Sequence, residues 1–173
     1  SPDPTCSLRA SARAVSFITF LFAAAVLAIT PGPGIAYVVA RTVAGGRSEG
    51  LGSCFGTGIG GLLHVLAAAL GLSLLIAQSA VAFNLLKYVG AAYLAYLGIR
   101  MLLCKEQPPT GEVMAPQGAR RALVEGIVVE ALNVKTALFF LAFLPQFVPP
   151  GEPLVPQLVL LGGICVALNT FVD

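Results

Sequence analysis

Apolar residues along the chain gather into five long blocks that are separated by short polar stretches. Each block is close to or above the roughly 20 residues that a helix needs to cross about 30 Å of hydrocarbon. No strand-like alternation of polar and apolar residues recurs, so the backbone is expected to satisfy itself within helices. The pattern predicts an all-α integral membrane protein, a polytopic helical bundle forming a single transmembrane domain over residues 1–173. The blocks run from Val15 to Ala40, Leu51 to Gln78, Ala80 to Leu103, Ala122 to Val148 and Leu154 to Val172.

Composition excludes several classes of protein. Hydrophobic residues make up 57% of the chain and charged residues only 10%, which leaves too little polar surface for a water-soluble globule. A net charge of +2 is too small to indicate a nucleic-acid partner. The 4 cysteines are scattered singly and there is 1 histidine, so neither a disulfide framework nor a zinc site is indicated. Without a catalytic constellation, the sequence predicts no enzyme, cofactor or metal.

The basic residues between the blocks predict the orientation of the chain. Loops on the cytoplasmic side of a membrane collect Lys and Arg, so the loops after the first and third blocks are predicted to be cytoplasmic. The N-terminus then lies outside. The proline-containing stretch 104–121 is predicted to be a flexible cytoplasmic linker. Because the chain starts at Ser1 and stops at Asp173, at the end of an apolar block, we expect a fragment. The basic residues are Arg41, Arg47, Arg100, Lys105, Arg120 and Arg121.

A Thr-Pro-Gly-Pro-Gly motif at residues 30–34 interrupts the first apolar block. Its prolines remove backbone donors and its glycines loosen the chain, so a continuous helix is not expected there. Non-helical backbone at membrane depth survives only where protein buries it or water lines it, and transporters place substrates at such breaks. The alternative is a kink that only shapes packing. The predicted substrate-binding residues of this motif are Pro31, Gly32, Pro33 and Gly34.

The fourth block carries two charges in the middle of an apolar run. A charge at the bilayer centre costs about 3 kcal/mol on the insertion scale, so Glu130 and Lys135 need a partner or a wet cavity. They stand five residues apart, about 140° around a straight helix, whereas Asn133 shares a face with Glu130. Asn133 and Lys135 are predicted to bind substrate, and Glu130 is a candidate for proton coupling. The alternative is that Lys135 extends to the membrane interface.

Small residues follow a four-residue period in the second block, at Gly52, Gly56 and Gly60, and His64 continues the row. Such a stripe lets two helix backbones approach closely. It would also allow a homodimer without requiring one. His64 therefore lies on a packed face, where it either forms an interhelical hydrogen bond or titrates as a second candidate for proton coupling.

Four segments in this order resemble the LysE/RhtB family of amino-acid exporters. The resemblance covers nearly the whole chain. It implies a multi-pass protein of the bacterial cytoplasmic (inner) membrane that exports amino acids or close derivatives in exchange for protons. It also implies six spans in two related halves, of which five are visible here. The segments are 29–33 (ITPGP), 87–98 (KYVGAAYLAYLG), 131–140 (ALNVKTALFF) and 143–147 (FLPQF).

The chain departs from the family pattern at three points. Val134 stands where the family reads proline between Asn and Lys, so the resemblance does not by itself predict a broken fourth helix. Glu130 stands where a neutral polar residue is usual. The sixth span is absent, and Asp173 resembles an acidic position of the fifth span, which makes it a third candidate for proton coupling.

The two unusual segments occupy corresponding positions in two three-span halves, and an odd number of spans between them makes the halves inverted. The positive end of a half-helix at residues 32–34 and the ammonium of Lys135 would attract a substrate carboxylate. Glu130 or Asp173 would take the amino group or a proton. Two alternatives stay open. A membrane scaffold subunit would use the charges only for assembly, and a metal or ion efflux protein would need several converging ligands.

Overall fold

The structure is a computed structural model that describes residues 4–103, 115–149 and 151–173. Residues 104–114 of the predicted linker lie outside this part. The described chain is almost entirely helical, which confirms the predicted all-α class. The helices are α1 (Pro4–Ile29), α2 (Pro33–Gln78), α3 (Ala80–Leu103), α4 (Ala119–Ala131), α5 (Val134–Leu138), which continues as a π-helical turn (Phe139–Phe143) and a 3₁₀ turn (Leu144–Phe147), and α6 (Leu154–Val172).

Helix α2 folds back on itself at Gly46. This residue has φ 68° and ψ −162°, a conformation that glycine adopts without steric penalty. The side chain of Thr42 lies against Gly50, which a straight helix would place about 12 Å away along its axis. The arm 33–45 therefore packs beside the arm 47–78, and the predicted loop after the first apolar block is this tight helical turn.

A buried ion pair fixes the fold-back and the start of the second half. Arg41 Nη1 donates to Glu49 Oε2 at 3.3 Å, and the two side chains are 2% and 3% exposed. Glu49 Oε1 also accepts the backbone N–H groups of Gln117 and Gly118, both at 2.6 Å. Arg41, which the sequence counts as a loop cation, is thus buried, and the described end of the linker is held against the turn of α2.

The glycine stripe of the second arm of α2 packs directly on α4. A Cβ added at Gly52, Gly56 or Gly60 would meet carbonyl oxygens of the α4 backbone. The prediction that this stripe permits close approach of two helices is confirmed. An apolar core then forms between α1, the second arm of α2, α6 and the π and 3₁₀ turns. Its fully buried members include Phe20, Leu72, Phe140, Leu144 and Leu158.

Three helical stretches of the described chain are long and apolar enough to cross a membrane: Pro33–Leu72, Ala80–Arg100 and Leu154–Val172. The first of them contains the fold-back at Gly46. A fourth span forms if α4 and Val134–Phe147, bent by 48°, cross together. Large apolar side chains cover the outside of the bundle, as expected for a surface that faces lipid. The chain is a polytopic helical membrane protein, while the count of five spans and the inverted halves stay predictions.

Candidate functional site

The chain is not helical between α1 and α2, as the Pro-Gly motif predicts. Helix α1 ends at Ile29, and α2 begins at Pro33, whose missing N–H suits the first position of a helix. The end of α1 leaves carbonyl groups without intrahelical donors. Lys135 Nζ, from the other half of the chain, donates to the carbonyl oxygens of Thr30 at 2.8 Å and Leu27 at 3.4 Å. A lysine of the second break thus caps the first.

A second break separates α4 from α5, although no proline stands there. Helix α4 ends at Ala131, α5 begins at Val134, and the axes bend by 48°. Asn133 is the N-cap of α5, since its Oδ1 accepts the backbone N–H of Lys135 at 3.1 Å. Its Nδ2 donates to Glu130 Oε2 at 3.0 Å. Hydrogen bonds of the Asn133 side chain therefore support the break, although no proline interrupts the helix.

Two acidic side chains lie near these breaks and receive hydrogen bonds from neutral groups. Glu130 is 7% exposed, and its Oε1 accepts from Thr136 Oγ1 at 2.7 Å. A Cβ added at Gly34 would come within 2.7 Å of the other Glu130 oxygen, so glycine leaves room for the carboxylate. Asp173 Oδ2 accepts from Thr57 Oγ1 at 3.1 Å. Among the described residues, neither acid forms an ion pair within 4.0 Å.

The breaks and the acids enclose one small polar pocket. Five of the predicted site residues line it together, from four different helices or their ends. The free space between them is about 30 Å³, enough for about two water molecules. In this conformation the pocket therefore has room for water only. The five residues are Gly34, Glu130, Asn133, Lys135 and Asp173.

The remaining predicted residues lie elsewhere. Pro31, Gly32 and Pro33 line a wider, apolar groove of about 580 Å³ between α1 and α3, and Lys135 borders both this groove and the polar pocket. His64 lines neither cavity; its Nε2 donates to the backbone carbonyl of Glu130 at 2.8 Å. The interhelical hydrogen bond considered for His64 is thus present.

Four polar residues of the pocket were not singled out from the sequence. Asn169 lies four residues before Asp173, on the same face of α6, and this spacing could have revealed it. Within the described part of the chain, its Oδ1 is buried and has no hydrogen-bond partner. The others are isolated hydroxyl groups in apolar runs, a weak signal. The four residues are Thr57, Thr136, Asn169 and Thr170.

Groups of both charges line the pocket. Gly34 and Ile35 line it from the first turn of α2, where backbone N–H groups have no intrahelical partner and the helix dipole is positive. The ammonium of Lys135 adds a full positive charge. Glu130 and Asp173 supply carboxylates. Such a site is complementary to a small molecule that carries both charges.

A polytopic helical protein whose broken helices meet at a charged pocket has the architecture of a membrane transporter. The family model of the LysE type translocator matches residues 25–172, and the chain belongs to this family. This is a family of transporters rather than of enzymes. The resemblance in the four sequence segments is therefore confirmed.

Proteins from several bacteria are similar to this chain over most of its length. A Vibrio cholerae protein described as an uncharacterized membrane protein is 31% identical over 157 residues, which cover 90% of this chain and 76% of the relative. The homoserine/homoserine lactone efflux protein of Salmonella typhi is 28% identical over 158 residues, with the same coverage. The membrane protein YrhP of Bacillus subtilis is 30% identical, covering 88% of this chain and 77% of the relative. No solved structure matches the chain.

Proposed function

We propose that this protein is a secondary transporter that exports amino acids or close derivatives across the bacterial cytoplasmic membrane in exchange for protons. The observation that carries the proposal is the polar pocket, which a lysine, a helix N-terminus and two carboxylates line together. The name of the Salmonella typhi relative, which refers to homoserine, supports a small amino acid as cargo.

The carboxylate of the substrate binds at Lys135 and the N-terminus of α2. The ammonium of Lys135 has three N–H donors, and the carbonyl oxygens at the end of α1 take two of them. No other acceptor in the described part of the chain takes the third donor, which is left for a ligand. The backbone N–H groups of Gly34 and Ile35 provide further donors at the positive end of α2.

The amino group of the substrate binds at Glu130 or Asp173. The pocket holds two carboxylates and one ammonium, so one carboxylate can bind the substrate while the other carries the exchanged proton. Their surroundings differ, because Glu130 receives two side-chain hydrogen bonds and Asp173 one. Protonation of either acid removes negative charge from the pocket and weakens its hold on the ammonium group.

Transport requires the pocket to open, because its present volume of about 30 Å³ is too small for an amino acid. The contacts between Lys135 and the end of α1 join the two halves across the pocket. Rocking one half against the other would expose the pocket to each side of the membrane in turn. A substrate carboxylate that competes with the end of α1 for the Lys135 ammonium would link substrate binding to this movement.

The alternatives have less support. A metal efflux protein needs several ligands that converge, and the described residues contain no group of three or more His, Cys, Asp or Glu placed to hold a metal. In a scaffold subunit, substitution at Lys135 would damage assembly rather than turnover. Measuring efflux together with the amount of protein in the membrane distinguishes these two effects.

The test is amino-acid efflux from cells that express the full chain and are loaded by feeding a panel of dipeptides, homoserine-containing ones among them. Lys135→Ala is compared with Lys87→Ala, a lysine of α3 whose Nζ lies 5.9 Å from the ring centre of Tyr88, outside the pocket. Loss of a hydrogen bond to a charged group predicts about 10- to 100-fold slower efflux for Lys135→Ala.

Lys87→Ala is expected to export at the wild-type rate, with both variants present in the membrane at equal amounts. An unchanged efflux rate in Lys135→Ala would show that the pocket is not the substrate-binding site. If no amino acid leaves faster from cells with the inserted wild-type protein, the cargo is of another class.

A further inference from the structure

His64 contacts the point where α4 ends. Its Nε2 lies 2.8 Å from the carbonyl oxygen of Glu130, and because a carbonyl oxygen only accepts, Nε2 carries the hydrogen. The ring stacks on Phe140, with centroids 6.3 Å apart and planes inclined by 21°. Gly60, one turn earlier on α2, permits this approach, since a Cβ there would lie 2.7 Å from the Cβ of Glu130. The ring is thus held in place at the break.

The carbonyl that His64 binds is one that a continuous helix would need. In an unbroken helix, the carbonyl of Glu130 would accept the N–H of Val134, four residues later. Here it accepts from His64 Nε2 and from the N–H of Asn133, at 2.8 and 3.0 Å. A carbonyl oxygen has two lone pairs, so no position remains for Val134. The hydrogen bond of His64 and the continuous helix therefore compete for one acceptor.

Val134 itself does not prevent a continuous helix. Val134 is the first residue of α5, where its N–H has no partner within the helix. Valine retains that N–H and can occupy a helix interior at small cost. At the first break, by contrast, the corresponding first residue is Pro33, which has no N–H to donate.

We propose that His64 is a positioning residue, which keeps α4 and α5 apart by occupying the carbonyl of Glu130 and thereby sets the place of Lys135 in the pocket. In a continuous helix, Glu130 and Lys135 would point about 140° apart. Lys135 could then not reach the end of α1 from its side of the pocket. The effect on transport rests on the function proposed above, whereas the effect on helix geometry does not.

The test asks whether a proline at position 134 can keep the helix broken when His64 is absent. His64→Leu removes the hydrogen-bond donor and puts an apolar side chain of similar size in its place. The double variant His64→Leu/Val134→Pro also removes the N–H that competes for the carbonyl. His64→Leu is expected to lower efflux about 10-fold, and Val134→Pro is expected to restore most of it, because proline enforces the same break. Val134→Pro alone is expected to export at close to the wild-type rate, since Val134 lines neither cavity.

A second measurement reads the break without transport. Spin labels are placed at Val124 on α4 and Gln146 in the 3₁₀ turn, both exposed, in a variant whose cysteines are replaced. Straightening a bend of 48° between them lengthens the distance by about 3 Å from helix geometry. The lengthening is expected in His64→Leu and not in the double variant.

The outcomes separate the two proposals. An unchanged distance in His64→Leu, or failure of Val134→Pro to restore efflux to His64→Leu, overturns the positioning role. If the distances change as expected but the wild-type protein exports no amino acid, the positioning role stands and the proposed function fails.

Discussion

The two helix breaks of this protein serve the same pocket but are specified in different ways. The first, between α1 and α2, is built from proline and glycine at positions 31–33, so the covalent structure of the chain forbids a continuous helix. The second, between α4 and α5, contains neither residue type at 132–134 and depends on side-chain hydrogen bonds from His64 and Asn133. The first interruption is specified by local sequence, whereas the second also needs a contact from a distant helix.

At each break, a side chain from the other half of the chain binds a backbone carbonyl group. Lys135, beside the second break, donates to the carbonyls at the end of α1. His64, on α2, donates to the carbonyl of Glu130 at the end of α4. This exchange ties the geometry of one break to that of the other. We therefore expect single substitutions to disrupt the second break and to be tolerated at the first.

The largest loss of stability is expected at Glu130, which accepts hydrogen bonds beside the second break. Glu130→Leu strands the donors of Asn133 and Thr136 in a buried site, at about 1–3 kcal/mol for each. Thermal unfolding in detergent measures the effect. Glu130→Gln, which retains an acceptor oxygen, is expected to lose less. Equal stability of Glu130→Leu and the wild type would show that these hydrogen bonds do not hold the break.

A smaller loss is expected where the glycine stripe meets the second break. Gly60→Ala would press a methyl group against the Cβ of Glu130 and the carbonyl of Ile127, with an expected cost of about 1–3 kcal/mol. Gly71→Ala is the matched control on the same helix, because nothing lies within 4 Å of its added Cβ. The control should be neutral or slightly stabilising, since alanine favours helix. A loss in both variants alike would point to glycine flexibility instead of close packing.

Removal of the N-cap of α5 comes next. Asn133→Ala loses the acceptor for the N–H of Lys135 and the donor to Glu130, and N-cap replacements cost about 1 kcal/mol. Asn84→Ala, on the exposed face of α3, is the control and should leave the unfolding temperature unchanged. An equally small effect of both substitutions would argue that His64 alone maintains the break.

The smallest effect is expected at the first break. Pro31→Ala leaves Gly32 and Pro33 in place, so the helix still cannot continue, and the loss of a proline costs about 0.4–1 kcal/mol through the unfolded chain. Efflux should stay close to wild type. If Pro31→Ala lowers efflux as strongly as His64→Leu, the two breaks do not differ in the way described.

Features that depend on residues close together in the sequence were predictable. The apolar blocks predict the membrane class, the Pro-Gly motif predicts the first break, and the glycine period predicts the contact between α2 and α4. The second break was not predictable from residues 130–136 alone, because the residue that takes the Glu130 carbonyl is His64, on another helix. For the same reason Arg41 was counted with the loop, since its burial depends on Glu49, beyond the turn at Gly46.

The prediction of the pocket was partial for a related reason. Charged residues in apolar runs are conspicuous, and Glu130, Lys135 and Asp173 indeed lie together. Thr57 and Thr136 are compatible with any membrane helix, and only the packing shows that they donate to the two carboxylates.

Recognition of both charges of an amino acid by the pocket is tested most directly by competition in proteoliposomes. Exchange of the radiolabelled exported amino acid is measured against three competitors: the same amino acid, its analogue without the carboxylate and its analogue without the amino group. Only the complete amino acid is expected to compete, and Lys135→Ala should abolish its advantage over the analogue that lacks the carboxylate. Equal competition by all three compounds in the wild-type protein would contradict the account.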